Sequence, residues 1–195
     1  MLKIGITGGI GSGKSLVSEM FKLLDIPVFN ADDAAKYLME HDTSLKEKIK
    51  QTLGKDIYKN DRLQRSFLAF IVFNDRKKLD LLNSIVHPAT IEYGHQWMEK
   101  QNSPYVIKEA ALFFETGSYR EMDKIIGVYA NRELRLERTM KRDKISETEV
   151  IARMENQMDE EEKMKKCDFI IDNNGKKSII KQVTDLHQKL VKFTN

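Results

Sequence analysis

Apolar and polar positions alternate at the start of the chain. Leu2, Ile4 and Ile6 read as a short strand that runs into a glycine-rich turn. Val17, Met20, Phe21 and Leu24 then fall at helical spacing and predict a buried helix face. "IPVFNAD" is a second short strand, started by Pro27. From 33 to 100 the pattern is almost wholly helical. Leu63, Phe67, Phe70 and Ile71 form one predicted stripe there, and Pro88 fits the first turn of a helix reaching about Lys100. Three further β-rich runs follow at 104–110, 123–130 and 168–172. Ser146 and Glu149 make a capping box that starts a helix, and Ile179, Val183, Leu186 and Leu190 give the last helix its apolar face. Strands alternating with helices predict an α/β fold of three layers around a five-stranded parallel sheet. The core is expected at about 1–32, 101–131 and 167–195, with a helical insertion at 33–100 and a helical lid at 132–166, all in one domain.

Composition narrows the function without naming it. Of 195 residues, 41% are hydrophobic and 32% charged, and the net charge of +3 is too small to suggest a general nucleic-acid binder. No apolar run approaches the roughly 20 residues of a membrane helix, and the opening strand does not resemble a secretory leader, so the expected setting is the cytoplasm. One cysteine, Cys167, excludes an internal disulfide and a cysteine metal site; a small, at least half-buried thiol is expected.

The glycine-rich turn is "GITGGIGSGKS", in which Gly8, Gly13, Lys14 and Ser15 fit the phosphate-binding pattern G-x-x-x-x-G-K-[ST]. Its glycines let the backbone turn sharply and aim N–H groups at phosphate oxygens. The nucleotide-binding set is Gly8, Gly9, Gly11, Ser12, Gly13, Lys14, Ser15 and Leu16. Lys14 is expected at the β- and γ-phosphates and Ser15 on Mg²⁺, with ATP as phosphoryl donor. The late strands end in "YANRE" and "IDNNGKK", neither of which carries the guanine-reading N-K-x-D of a GTP switch. A small P-loop protein with a helical insertion after its second strand fits a kinase of small metabolites.

Such a kinase needs a base, mobile cations and water exclusion. Asp32 follows the second strand, at the sheet edge where open α/β folds bind ligands; two roles fit it, a base near the γ-phosphate or the N-cap of the next helix. Arg135, Arg138 and Arg142 fall within about 60° of one another on a helix, with Leu136 and Met140 opposite. That stripe fits a phosphate-closing lid, of which Arg138 and Arg142 are the catalytic candidates, or a solvated face paired with Glu137 or Asp143. "MDEEEKMKK" (158–166) reads as a solvated helix. His87, before Pro88 at a helix start, reads as a catalytic group or, more in keeping with that place, a structural or substrate-orienting hydrogen bonder, and His41, His95 and His187 belong to no recognisable constellation.

Taken together, these residues closely resemble the bacterial dephospho-coenzyme A kinase family, nearly end to end. The family's "DAD" stands here as Asn30-Ala31-Asp32, its "L-x-R" as Leu63-Gln64-Arg65, its "HP" as His87-Pro88 and its "PLLFE" as Ala111 to Glu115. The lid's "R-x-x-x-R-D" is Arg138 to Asp143, and the late "D-x-x-I-x-N-x-G" is Asp168, Ile171, Asn173 and Gly175. The resemblance implies a P-loop NTPase fold and transfer of the ATP γ-phosphoryl to the ribose 3′-hydroxyl of dephospho-coenzyme A. It implies Asp32 as base, the insertion as acceptor site, and Arg65, His87, Glu109 and Glu115 as acceptor-binding residues. Three positions depart from the family pattern: Asn30 for an acid, Glu109 for a frequent Asp, and Ala111 for proline. The competing readings are a nucleoside monophosphate-type kinase and a nucleotide-dependent binding protein without turnover.

Overall fold

The computed structural model describes residues 1–73 and 75–193, which divide into two compact units: Met1–Phe29 with Gln101–Asn195, and Asn30–Lys100. In chain order the first unit opens with β1 (Leu2–Thr7), α1 (Lys14–Lys22) and β2 (Val28–Asn30). The helical unit holds α2 (Ala31–His41), α3 (Thr43–Leu53), β3 (Tyr58–Lys59), β4 (Arg62–Leu63), α4 (Arg65–Phe73) and α5 (Arg76–Glu99). The chain then adds β5 (Tyr105–Glu109), α6 (Phe113–Thr116), β6 (Lys124–Tyr129), α7 (Arg132–Asp143), α8 (Glu147–Glu155), α9 (Glu160–Lys165), β7 (Phe169–Asp172) and α10 (Ile179–Lys192).

The sheet order is β2-β5-β1-β6-β7, and β1 pairs in parallel with both β5 and β6. Alternation along the strands sends side chains to both faces. One face carries Ile4, Ile6, Tyr105, Ile107, Ile126 and Val128, packed on Val17 and Phe21 of α1 and Val183, Leu186 and Leu190 of α10. The other face is covered by Phe113, Met122, Met164 and Cys167, and it uses glycine where space is short: a Cβ on Gly127 would lie 2.6 Å from the Met164 sulfur. The result is the expected three-layer α/β arrangement. The Cys167 thiol is half-buried, donates to the Lys163 carbonyl at 3.3 Å, and is pushed up to about 12 mainly by burial, which leaves it a protonated, unreactive group at neutral pH. None of the described helices is long and apolar enough to cross a membrane.

The helical unit has its own core, built from Leu38, Leu45, Ile49, Ile57, Leu68, Val72, Leu82 and Val86. Three sequence expectations change here. The stretch contains a β-hairpin whose two-residue turn, Asn60-Asp61, has φ of 50° and 61°, the double left-handed turn that matches strand twist. Its two-residue strands are too short to leave a periodic signal. The α4 stripe is rotated: Leu68 and Val72 face the core, while Phe67 and Phe70 are 44% and 68% exposed. A helix apolar on nearly every side gives no phase to read. Pro88 lies inside α5, not at its start. Asp75 is the N-cap, accepting from Lys77 and Lys78 N–H at 3.0 and 3.3 Å. Pro88 and Ser84, whose carbonyl loses its helical donor, are both exposed, so water can solvate the freed group.

Candidate active site

The phosphate loop joins β1 to α1. Gly13 is the residue before α1 and has φ 97°; a Cβ there would meet the Asn173 side-chain nitrogen at 2.2 Å, so only glycine fits. α1 has no acidic residue in its first turn and no side-chain cap, which leaves its N-terminal partial charge facing an incoming anion. Lys14 curls back over the loop, its Nζ donating to the Gly8 and Gly9 carbonyls at 2.8 and 3.3 Å. A cavity of about 260 Å³ opens here, lined by Gly11, Gly13, Lys14, Ser15, Leu16, Arg138 and Arg142. Lys14, Ser15, Arg138 and Arg142 are therefore gathered at one place.

The loop is braced from outside by later elements. Asn173, just past β7, donates through Nδ2 to the Ser12 carbonyl at 2.7 Å, and its own carbonyl accepts from Arg138 Nη2 at 3.0 Å. Arg138 Nη1 is buried with no hydrogen-bond partner among the described residues, an expensive state for a cation beside a cavity. Arg142 is exposed and grips Asp143 with two bonds, 2.7 and 3.1 Å, which raise its pKa further. The lid stripe splits at Arg135. That side chain is only 8% exposed and lies under the loop, paired with Glu160 at 3.3 Å. The helix turns its Arg135–Thr139 edge to the core, an edge that polar residue types hide from periodicity.

Two carboxylates expected at the acceptor have partners within the protein. Glu109, buried at the end of β5, accepts from the Ser15 hydroxyl of the phosphate loop at 2.9 Å. Glu115 pairs with Lys163 at 3.0 Å and accepts from the Met158 N–H at 2.8 Å, a bracing role. Lys163, fully buried, also donates to the Ala111 carbonyl at 3.0 Å. The segment read as a solvated helix thus has a buried polar side: Glu160, Lys163 and, before it, Gln157, whose Oε1 accepts from Ile10 N–H at 2.9 Å. Residue types alone gave no sign of this; only the need of loop N–H groups for acceptors points to it.

In the helical unit, Asn30 is the N-cap of α2, its side chain accepting from Asp33 N–H at 2.9 Å. Asp32 is the second residue of the helix and exposed, so it is not the cap. The amide at position 30 suits this place, since Asn and Asp cap about equally well. His87 lies within reach of the Asp32 charge. Burial lowers its pKa below the ordinary histidine value, and the Asp32 carboxylate opposes that shift only in part. His87 is therefore neutral at pH 7. Arg65 is exposed and holds Glu40 at 2.8 Å.

The His87 shift has a measurable consequence. A histidine whose folded pKa is depressed adds stability above its unfolded value, about 6.5, and loses it as pH falls through the folded value. His87→Gln should therefore flatten the decline of the thermal midpoint from pH 7 to 5. A variant whose midpoint falls as steeply as wild type over that interval would contradict the buried neutral ring.

The profile of the dephospho-CoA kinase family matches residues 2–178. Dephospho-CoA kinase of Bacteroides fragilis strain YCH46 is 35% identical over 186 residues, covering 95% of this chain and 91% of the relative. That of Fusobacterium nucleatum is 37% identical over 191 residues, covering 97% and 95%. The solved dephospho-CoA kinase from Campylobacter jejuni superimposes with a TM-score of 0.72 at 31% identity, covering 99% and 98% of the two chains. A solved structure from Thermus thermophilus reaches 0.86 at 32% identity, with 96% of each chain covered. Shikimate kinase from Acinetobacter baumannii, at 0.52 and 12% identity, shares the fold alone. The matched profile covers residues of both units, and the chain belongs to the dephospho-CoA kinase family.

Proposed function

We infer that this chain transfers the γ-phosphoryl group of ATP to the ribose 3′-hydroxyl of dephospho-coenzyme A, the last step of coenzyme A synthesis, in the cytoplasm. The observation that carries the reading is the cavity on which Lys14, Ser15, Arg138 and Arg142 converge. Phosphoryl transfer asks a protein mostly for positioning and for charge around the moving group. The α1 N-terminus and Lys14 receive the β- and γ-phosphates. Arg138 brings an amino group with no other partner among the described residues, and Arg142 exchanges Asp143 for phosphate oxygens as the segment closes. Arginine forks suit the spread charge of the transition state.

The residues fit Mg²⁺. The Ser15 hydroxyl and the Glu109 carboxylate are hard oxygen donors 2.9 Å apart, and Mg²⁺ usually takes only one or two protein ligands, the rest coming from phosphate and water. Ser15 would hold the ion, with Glu109 orienting Ser15 or a water. When bound, the ion neutralises phosphate charge.

The helical unit, Asn30–Lys100, receives the acceptor. Asp32 accepts the hydrogen bond of the 3′-hydroxyl and takes its proton late in the reaction. The neutral His87 ring orients the Asp32 carboxylate without protonating it. Arg65 offers its guanidinium to the acceptor's pyrophosphate.

ADP release measured with dephospho-coenzyme A, with AMP and without acceptor tests the reading. ADP should form with dephospho-coenzyme A, with AMP poorer by about 10² or more in kcat/KM because it lacks the pantetheine arm whose binding positions the hydroxyl. AMP serving equally well would make the chain a nucleoside monophosphate kinase. ADP binding without turnover on any acceptor would make it a binding protein.

A further inference from the structure

Glu160 is a buried carboxylate with no part in the chemistry described above. It is 6% exposed, and both its oxygens accept from the Gly9 N–H, at 3.1 and 2.9 Å; Oε2 also takes Arg135 Nη1 at 3.3 Å. The approach is close: a Cβ at residue 9 would stand 1.9 Å from Arg135 Nη1 and 2.5 Å from Glu160 Oε2, so a larger residue would have to displace this pair. One residue on, Gln157 takes the Ile10 N–H. Two successive amides of the loop are thus committed to side chains of the segment at 157–160, and the Asn173 bond to Ser12 fixes the loop's far end.

We propose that Glu160 is a positioning residue for the phosphate loop, holding its first half in the shape that receives ATP. The proposal rests on the reading of residues 8–15 as the ATP phosphate site. A loop shaped only by its ligand would have to be ordered at each binding event, and that ordering subtracts from affinity. Here the acceptors are supplied by the protein in advance. Arg135 anchors the carboxylate, and Glu160 in turn pairs with a guanidinium under the loop. The effect falls on ground-state and transition-state binding alike, so it belongs to KM for ATP and not to kcat.

The acceptor function separates Glu160→Gln from Glu160→Leu. Both lose the ion pair, but only Gln retains an oxygen for Gly9 N–H. ADP affinity by calorimetry with Mg²⁺ present, and KM and kcat for ATP, are read on both. Glu160→Leu is expected to bind ADP about tenfold or more weakly and to raise KM similarly, with kcat within about threefold, as an orphaned amide implies; Glu160→Gln stays within about threefold of wild type in all three. Glu160→Leu binding ADP like wild type, or Gln losing as much as Leu, overturns the proposal. Should Glu160→Leu fail to fold, Gln157→Leu is read in its place: weaker ADP binding with kcat retained supports the bracing of the loop, and unchanged affinity overturns it. Wild-type protein that binds no ADP would instead sink the phosphate-site reading itself.

Discussion

Lys14→Ala is expected to fold as wild type does and to lose turnover by about 10²–10³-fold at saturating ATP, the size of effect that follows removal of one preorganised charge donor at a reacting group. The side chain is half-buried, and its ammonium donates to the Gly8 and Gly9 carbonyls. Alanine is also a good residue to open α1. The thermal midpoint should therefore move by no more than a few degrees, since surface-like substitutions stay within about 0.5 kcal/mol. Lys14→Arg should not restore activity, because a planar fork does not replace a compact ammonium in a loop this tight. Steady-state kinetics paired with a melting curve decides the matter. Near-wild-type turnover, or an alanine variant that melts well before wild type, would remove Lys14 from the phosphate site.

The legible parts of this fold were those with a strong local signal. Ile4, Ile6 and the glycines after them announce strand, loop and helix, because apolar alternation and left-handed glycine turns have few other uses. The Ser146–Glu149 box is observed with both of its bonds formed. The parts that went unread are polar groups that bury. Glu160, Lys163 and Gln157 look like a solvated helix because helical spacing of charged residues says nothing of which side has a partner. Arg135 joined the lid stripe for the same reason, and its true neighbour, Glu160, is 25 residues away in sequence. Long-range pairing of buried charges leaves no periodic trace.

Position and role separated in a second way. Glu109 and Glu115 were both grouped with the acceptor on the family resemblance, Glu109 at a position where the family often has Asp and Glu115 at the end of the "PLLFE" segment. The backbone then divides them: β5 ends with Glu109 aimed at Ser15, and the short helix α6 carries Glu115 to Lys163. A separation of six residues in sequence spans the loop that the Lys163–Ala111 bond ties down. Asn30 departs from the family pattern and still serves as the cap of α2, because capping needs an acceptor oxygen and not a charge.

That capping geometry gives the sharpest test of the chemistry. Asp32→Asn should lower turnover on the order of 10²–10⁴-fold, the usual contribution of a general base, while leaving ADP binding at wild-type strength. Had Asp32 been the N-cap, the same substitution could have been blamed on the fold. It is the second residue of α2 and exposed, so it is not the cap, and its favourable charge at a helix N-terminus is worth about 0.3–1 kcal/mol. The isosteric amide can still donate or accept a hydrogen bond, and so retains part of the orientation of the 3′-hydroxyl, but it cannot take the proton. Loss should therefore appear mainly in kcat, with KM for dephospho-coenzyme A changing less. Adding an acid back at the neighbouring position, Asn30→Asp with Asp32→Asn, should restore nothing, because the side chain at 30 is turned to the Asp33 N–H and held there at 2.9 Å. Rescue by that double variant would move the base to position 30. An Asp32→Asn enzyme that keeps most of its turnover would leave the reaction without a base at this helix, and the attacking hydroxyl would have to be prepared by positioning alone.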